Sequence, residues 1–155
     1  MIPPQDDLDR IMAVMGAAFD PTFGEAWNRR QVEDALVMGN CHYGLAFAEE
    51  SCAGFFLSRF GVDEEELLLL AVTPQFRGEG RGAQLLELFL AGARARGGAR
   101  ALLEMRRGNS AEQLYLRRKF VQIGVRPNYY RGANDVQIDA LTFACELNPN
   151  LNTST

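Results

Sequence analysis

The sequence predicts a single α/β domain that is built on a mixed β-sheet. Alternating apolar residues over 43–60 predict a β-hairpin, and the apolar run 67–72 is short enough to be a third, buried strand. A glycine-rich loop follows, after which apolar residues recur at helical spacing over 83–93 and then as a second buried run over 99–105. A three-stranded meander that continues into a strand–helix–strand unit indicates antiparallel and parallel pairing within one sheet.

Two helices are predicted ahead of the meander. Over 8–19, apolar side chains lie on one face of a helix, and Pro21 ends the pattern. Asn28 is a favourable N-cap for a second helix, which Gly39 closes. The segment between them, 20–27, is predicted to be a loop that carries aromatic side chains.

Turns divide the three strands of the meander. The hairpin strands are predicted over 43–48 and 53–60, with a turn at 49–51. Residues 61–65 are predicted to be an acidic turn, and we interpret the acidic run 63–66 as a solvated surface.

Shorter elements complete the chain. A break at 106–109 precedes a short helix over 110–118 and a strand over 120–125. An extended loop is predicted over 127–134, and alternating apolar residues over 141–147 predict the last strand.

Composition limits the class of protein. The 155 residues are 47% hydrophobic with a formal net charge of −4, which is typical of a globular domain and disfavours nonspecific binding to nucleic acid. Three cysteines without C-x-x-C spacing and a single histidine disfavour a disulfide framework or a metal site. Asp6 and Asp7 precede the first apolar block, and no apolar run approaches ~20 residues. We therefore expect no signal peptide, no membrane helix and a cytoplasmic location.

The glycine-rich loop permits two interpretations at first. Gly78-x-Gly80-x-x-Ala83 satisfies the dinucleotide-binding fingerprint, and Glu104 lies about 20 residues further on, where that motif places an acid. However, residues 73–77 separate the strand from the first glycine, and the chain offers no further β-α-β units. A triphosphate-binding P-loop is excluded, because no Gly-Lys-Ser/Thr is present.

The second interpretation is an anion site of another kind. Glycines directly before a helix point several N–H groups at one spot, where the helix dipole adds roughly half a positive charge. A pyrophosphate is the simplest ligand for such a loop. The pattern Arg77-x-x-Gly80-x-Gly82 resembles the acetyl-CoA pyrophosphate loop of the GNAT superfamily of N-acetyltransferases.

This resemblance covers residues 6–147, and its closest branch is the ribosomal-protein alanine N-acetyltransferases. It implies a GNAT domain over 1–147, with a sheet of about six to seven strands and helices on both faces. We expect 148–155 to be a disordered polar tail. The matching segments are Ala18-Phe19, Trp27, residues 63–68, Leu70-Ala71-Val72-x-Pro74, Leu103-Glu104-Met105-Arg106, Asn109, Leu114-Tyr115 and Arg126-x-Asn128-Tyr129-Tyr130.

Two positions depart from that branch. The spacing from Asn109 to Tyr115 is one residue shorter, and Lys119 stands before Phe120 where the family usually has glycine. Because one residue corresponds to a rotation of ~100° about a helix axis, the structure must show which way Tyr115 points.

The resemblance implies acetyl-CoA as the cofactor and no metal. Its pyrophosphate is expected at the glycine loop and its pantetheine arm along the third strand, where the N–H of Val72 would polarise the thioester carbonyl. Asn109 is expected to contact the arm, with an ordinary helix cap as the alternative. The expected cofactor-binding residues are Leu70, Ala71, Val72, Arg77, Gly78, Glu79, Gly80, Arg81, Gly82 and Asn109.

Two residues are candidates for proton transfer. Glu104 interrupts the apolar run of its strand and is the candidate general base, with an ion pair to Arg106 or Arg100 as the alternative. Tyr115 is the candidate acid, since a phenol of pKa about 10 can protonate a thiolate whose thiol has a pKa near 8.5. The alternative for Tyr115 is a place in the core.

The expected reaction is direct transfer in a ternary complex, from acetyl-CoA to the α-amine of a protein. The resemblance implies an N-terminal alanine, on a ribosomal protein, as the acceptor; neither nucleic acid nor a membrane is an expected partner. Glu25, Trp27, Tyr129 and Tyr130 are expected to border the acceptor groove. An acetyltransferase for a small amine or a lysine side chain, and a non-catalytic acyl-CoA-binding protein, remain open alternatives.

Overall fold

Six strands form one mixed sheet in the computed structural model, which describes residues 5–148. Apart from Asn148, the predicted polar tail lies outside the described residues. The helices are α1 Gln5–Ala18, α2 Arg29–Val37, α3 Arg81–Ala95 and α4 Glu112–Arg117. The strands are β1 Cys41–Ala48, β2 Ser51–Gly61, β3 Glu64–Val72, β4 Arg100–Arg106, β5 Val121–Arg131 and β6 Gln137–Glu146.

The strand order is β1-β2-β3-β4-β6-β5. All neighbouring strands are antiparallel except β3 and β4, which are parallel and are joined through α3. A parallel pair needs a crossover connection, and the helix predicted after the glycine loop supplies it. The predicted mixed sheet is therefore confirmed.

Helices cover both faces of the sheet, as expected. On one face, α1 and α2 pack on β2 and β3, where Ile11, Phe55 and Leu57 are fully buried. On the other face, Phe89 of α3 meets Phe56 of β2 within the larger core cluster, with ring centroids 5.9 Å apart. The alternation of apolar side chains along the strands supplies both layers.

The start of α2 is fixed by a capping box. The Asn28 side chain accepts a hydrogen bond from the N–H of Gln31 at 2.9 Å, and the Gln31 side chain accepts one from the N–H of Asn28 at 2.8 Å. This reciprocal arrangement satisfies two N–H groups that a helix leaves without partners. The predicted N-cap is confirmed.

A bulge and a divergence in β3 open the sheet near its centre. Leu57 pairs with Leu69 but Ser58 pairs with Leu67, so β3 carries one extra residue against β2. On its other side, β3 pairs with β4 only as far as Leu67 and Leu103. Beyond that point the two parallel strands border a cleft.

The acidic run 63–66 is not the solvated turn that we expected. Residues 64–66 lie in β3, and Glu65 is fully buried. Arginines from neighbouring elements make this possible, because each compensates one carboxylate. The pairs are Glu64–Arg100, Glu65–Arg96 and Glu66–Arg59.

The extended loop predicted over 127–134 is also largely wrong. β5 continues to Arg131, with an irregularity in its pairing to β6 between Arg126 and Tyr130. Asn128 has a φ of +58°, and its N–H donates to the carboxylate of Asp139 at 3.0 Å. The proline and asparagine that suggested a loop therefore form a bulge within an edge strand, where both are tolerated.

Candidate active site

Two grooves meet at the cleft between β3 and β4. The β4 groove, of about 450 Å³, includes Glu104 and Trp27. The α3 groove, of about 470 Å³, includes Val72, Gly78 and Arg81. Six residues line both grooves: Phe19, Phe23, Glu25, Leu70, Asn109 and Tyr115. The two grooves therefore adjoin at these residues.

The glycine loop has the backbone that an anion site needs. Gly78 and Gly80 have φ angles of +80° and +87°, and Gly80 directly precedes the first turn of α3. The first N–H groups of a helix, here those of residues 81–83, have no acceptor within it. Gly80 has no side chain that could serve as one, so no side chain caps this helix. Gly78, Arg81 and Gly82 line the α3 groove, so this helix terminus borders the place where the sequence predicts an anion.

Arg81 adds a buried donor to this loop. Its Nε donates to the carbonyl of Phe47 at 3.4 Å, and its guanidinium lies 5.3 Å from the ring centroid of Phe76. One terminal nitrogen is 3.3 Å from a carboxylate oxygen of Glu79, but the two atoms are not aligned as a hydrogen bond, and this nitrogen is buried. A buried cationic donor without an aligned acceptor fits a phosphate ligand in the α3 groove.

Arg77 has a different function in the loop. Its Nε donates to the carbonyl of Val72 at 3.0 Å, and a terminal nitrogen donates to the carbonyl of Ala18 at 2.9 Å. These bonds fasten the start of the loop to the ends of β3 and α1. Its contact with a pyrophosphate stays a prediction, and both of its observed hydrogen bonds go to backbone carbonyls.

The last residues of β3 present backbone groups to the cleft. The N–H of Thr73 donates to the carbonyl of Ala53, which makes these two a hydrogen-bonded pair. Hydrogen-bonded and non-bonded pairs alternate in antiparallel ladders. In the pairs Val72–Gly54 and Leu70–Phe56, the N–H and C=O groups of β3 therefore point away from β2. This orientation supports the predicted contact of Leu70 and Val72 with a thioester arm.

Glu104 lies in the β4 groove with an unexpected partner. Its carboxylate is 3.3 Å from Nε of Arg126 on β5, and its side chain is 25% exposed. The ion pair expected with Arg106 or Arg100 is wrong, because the sheet directs those guanidinium groups to Glu25 and Glu64. Glu104 therefore faces the groove with a single exposed cation beside it.

The four predicted acceptor residues lie together along the β4 groove: Glu25, Trp27, Tyr129 and Tyr130. Glu25 is held by Arg106 at 3.3 Å, and the Arg106 guanidinium stacks 3.8 Å from the ring centroid of Phe23. This contact fixes the loop over 20–27 above the cleft.

Tyr130 has a strongly raised pKa within the β4 groove. Burial, followed by the negative charges of Glu104 and Glu25, raises the pKa of Tyr130 to about 12. Its phenol therefore stays neutral at physiological pH and offers a hydrogen bond beside the two carboxylates.

Tyr115 points to the junction of the two grooves despite the shortened spacing before α4. It is 6% exposed, and burial raises the pKa of its phenol well above the usual value. Its ring packs edge-on against Phe120, with centroids 5.8 Å apart. Tyr115 is thus part of the core and part of both grooves, so the two interpretations from the sequence are compatible.

Comparisons with known proteins agree with this geometry. A family model described as an acetyltransferase (GNAT) domain matches residues 12–137. The chain belongs to the GNAT acetyltransferase family. Its fold is similar to the solved structure of the ribosomal-protein-S18-alanine N-acetyltransferase from Escherichia coli, with a TM-score of 0.82, 25% sequence identity, and coverage of 95% of this chain and 92% of that one.

Two curated relatives of this GNAT chain are both named ribosomal protein bS18-alanine N-acetyltransferase. The protein from Haemophilus influenzae is 32% identical over 94 residues, which cover 61% of this chain and 64% of the relative. The protein from Salmonella typhimurium is 35% identical over 98 residues, which cover 61% and 66%, respectively. The chain thus matches slightly less than two thirds of the length of these relatives.

Lys119 occupies the glycine position of a Schellman motif in this GNAT chain. After α4, the N–H of Phe120 donates to the carbonyl of Tyr115 at 3.2 Å, and the N–H of Lys119 donates to that of Leu116 at 3.2 Å. Lys119 has a φ of +68°. This strained turn joins Tyr115 to Phe120 and thereby fixes the orientation of the candidate acid.

Replacing Lys119 with glycine is expected to stabilise the GNAT fold. Relief of the left-handed backbone should add about 1 kcal/mol to the free energy of unfolding, or about 2–6 °C in Tm. Lys119→Ala is the matched control, since alanine removes the side chain but keeps the strain. Denaturant unfolding of the three proteins checks this, and a glycine variant no more stable than the alanine variant would contradict it.

Asn109 caps the turn ahead of α4. Its side chain accepts a hydrogen bond from the N–H of Ala111 at 2.9 Å, which closes a turn before the helix; Ala111 itself is the N-cap of α4 and no side chain caps it, so the helix-cap alternative is wrong. Because Asn109 also lines both grooves, its contact with the cofactor arm stays a prediction.

The sequence did not identify Arg126 or Arg106 as site residues. Both belong to segments that resemble the family, but only the sheet order brings them to Glu104 and Glu25. Within residues 5–148, no cluster of His, Cys, Asp and Glu is arranged to hold a metal ion. None of the helices in that same range is long and apolar enough to span a membrane.

Proposed function

We propose that this GNAT chain transfers an acetyl group from acetyl-CoA to the N-terminal α-amine of a protein, with an N-terminal alanine of a ribosomal protein as the acceptor. The observation that carries the proposal is the meeting of two grooves at Tyr115, one with an anion loop and the other with Glu104. The names of the two curated relatives support the choice of acceptor. A cytoplasmic location is part of the same proposal.

The α3 groove supplies the contacts for the donor. Bound acetyl-CoA would bring an acetyl group already activated as a thioester. The loop 78–82 and the guanidinium of Arg81 would hold the pyrophosphate, as the uncapped start of α3 and the lack of a hydrogen bond to one buried Arg81 nitrogen suggest. The N–H groups of Leu70 and Val72 face the cleft, where they would orient the arm and stabilise negative charge on the carbonyl oxygen.

The β4 groove supplies the contacts for the acceptor. At pH 7 an α-amine of pKa near 8 costs about 1.4 kcal/mol to deprotonate, whereas a lysine amine costs about 4.6 kcal/mol. Glu104, acting directly or through one water, would take the proton from the ammonium group. The aromatic side chains of Trp27, Tyr129 and Tyr130 line the path of the following peptide residues.

Tyr115 would return a proton to the departing thiolate. Burial raises the pKa of the phenol, so Tyr115 keeps its proton throughout the physiological range. The same burial would disfavour a thiolate of bound coenzyme A at this position and would raise the pKa of that thiol too. Proton transfer from the phenol therefore remains feasible at the junction of the grooves.

Replacing Tyr115 with phenylalanine should lower kcat by about tenfold. The loss is moderate because a thiolate of ordinary pKa near 8.5 leaves without much help from an acid. Since burial shifts the phenol pKa upward, the wild-type rate should not decline below about pH 10 through loss of the Tyr115 proton. Measurement of kcat from pH 6 to 10 checks this. An alkaline decline near pH 8 to 9 that disappears in Tyr115→Phe would contradict it.

Mass spectrometry after incubation with acetyl-CoA tests the acceptor. One peptide has a free N-terminal alanine and no lysine, and a second is blocked at its N-terminus but contains one lysine. We expect acetylation of the first peptide only, because its amine is easier to deprotonate. Acetylation of only the second would indicate a lysine acetyltransferase. If neither reacts, a set of small amines is tested next, and no turnover of any amine would leave an acyl-CoA-binding function.

A further inference from the structure

Arg126 reaches the candidate base across an intervening strand. Ala140 of β6 pairs with Arg126 on β5 and with Arg106 on β4, so these three side chains lie on one face of the sheet. Glu104, two residues before Arg106, shares that face. Because the side chain of Ala140 is small, the Arg126 side chain can extend over β6 towards β4. Nε of Arg126 lies 3.3 Å from the Glu104 carboxylate.

Another cation can readily replace Arg126 in its ion pair with Glu104. The Arg126 side chain is 63% exposed, whereas that of Glu104 is 25% exposed. Ion pairs that water and salt reach are weak, so a competing cation can replace one partner easily. The Arg126 guanidinium also lies 5.3 Å from the ring centroid of Tyr129, which can support the cation when the carboxylate is taken.

A guanidinium and an α-ammonium make the same kind of contact with a carboxylate, since both are cations that donate hydrogen bonds. Resting on the function proposed above, we propose that Arg126 occupies the position of the acceptor ammonium and must be displaced from Glu104 when the acceptor binds. Arg126 is then a specificity-determining residue. It disfavours amines that offer only a positive charge, and it admits a peptide that also contacts the aromatic side chains of the groove.

Binding to the β4 groove can be followed without turnover. Trp27 is the only tryptophan and lines this groove, so its fluorescence reports a bound peptide. Two probe peptides share one sequence that begins with alanine, one with a free N-terminus and one acetylated there. Arg126→Met removes the competing cation, and Arg126→Lys retains a charge. Arg131→Met is the control for a general effect of charge, because Arg131 is another exposed arginine of β5 and itself lines the β4 groove, but it forms no ion pair with Glu104.

Arg126→Met should bind the free peptide about threefold to fivefold more tightly than the wild type. Its affinity for the acetylated peptide should not change, because that peptide has no ammonium group. The acceptor KM should fall by a similar factor while kcat stays within about twofold. Arg126→Lys should restore most of the wild-type affinity, and Arg131→Met should produce a smaller change than Arg126→Met.

Several results would overturn this inference. A lower kcat with unchanged affinity would show that Arg126 orients Glu104 instead of competing for it. Equal gains for both peptides, or an equal gain in Arg131→Met, would indicate only a general effect of charge. If the wild type acetylates the free peptide but Arg126→Met binds it no better, Arg126 does not compete with the acceptor ammonium for Glu104. The proposed function then stands without this inference. If the wild type neither binds nor acetylates that peptide, the proposed acceptor fails and this inference fails with it.

Discussion

Replacing Glu104 with glutamine is expected to lower kcat by about 10²-fold or more and to leave acetyl-CoA binding intact. Glutamine has nearly the same shape and keeps an oxygen beside Arg126, but it cannot take a proton from the acceptor. Glu104 lines the β4 groove and not the α3 groove, so the affinity for acetyl-CoA should not change. Thiol release at saturating substrates gives kcat, and calorimetry gives the Kd for acetyl-CoA.

Glu64→Gln is the matched control for this experiment. Glu64 is another strand carboxylate paired with an arginine, Arg100, but it lies outside both grooves. Its substitution should leave kcat within about twofold, because an exposed pair contributes little to stability. A wild-type rate in Glu104→Gln would end the general-base assignment. An equal loss of kcat in the two variants would indicate that each substitution disturbs the sheet, and not that Glu104 acts as a base.

Those parts of the fold that depend on local signals could be predicted from the sequence. The alternation over 43–60, the N-cap at Asn28 and the glycines before α3 each determine their own element within a few residues. Together they place the anion loop at the end of β3. The positive φ angles of Gly78 and Gly80 agree with that prediction.

Features that depend on distant partners could not be predicted in this way. Glu65 is buried because Arg96, 31 residues later, donates a hydrogen bond to it at 2.6 Å. A run of four acidic residues carries no sign of such a partner, so solvation was the natural expectation. Similarly, residues 127–131 contain loop-forming residues, and only their place on an edge strand allows them to continue β5.

The candidate site also has features that local signals predict and features that depend on distant partners. Glu104 and Tyr115 could be selected by residue type and by the resemblance; both line the β4 groove, and Tyr115 lines the α3 groove as well. The pairing of Glu104 with Arg126 could not, since it depends on β6 lying between β4 and β5 and on the small size of Ala140. The competition proposed for Arg126 therefore became visible only in three dimensions.

Replacing Gly80 with valine is expected to weaken acetyl-CoA binding by about 100-fold or more. Gly80 has a φ of +87°, which a β-branched residue adopts only with strain, and a Cβ there would meet no atom within 4 Å. The added side chain would therefore project into open space beside the anion loop, while the strain would turn the loop N–H groups away. The loss of two charge-assisted hydrogen bonds accounts for the expected factor. Calorimetric titration with coenzyme A measures it.

Gly39→Val separates loss of the ligand from loss of the fold. Gly39 has a similar φ of +85° with equally open surroundings, and it follows α2 away from both grooves, whereas Gly80 stands between Gly78 and Arg81, which line the α3 groove. Both variants should therefore lose a comparable free energy of unfolding, on the order of 1–2 kcal/mol per strained residue. Only Gly80→Val should also lose affinity for coenzyme A, when both variants are measured well below their Tm values.

Normal binding of coenzyme A by Gly80→Val would contradict the assignment of residues 78–82 as the phosphate-binding loop. Weak binding by both variants would mean that the loop responds to stability alone, because the residues beside Gly39 line neither groove.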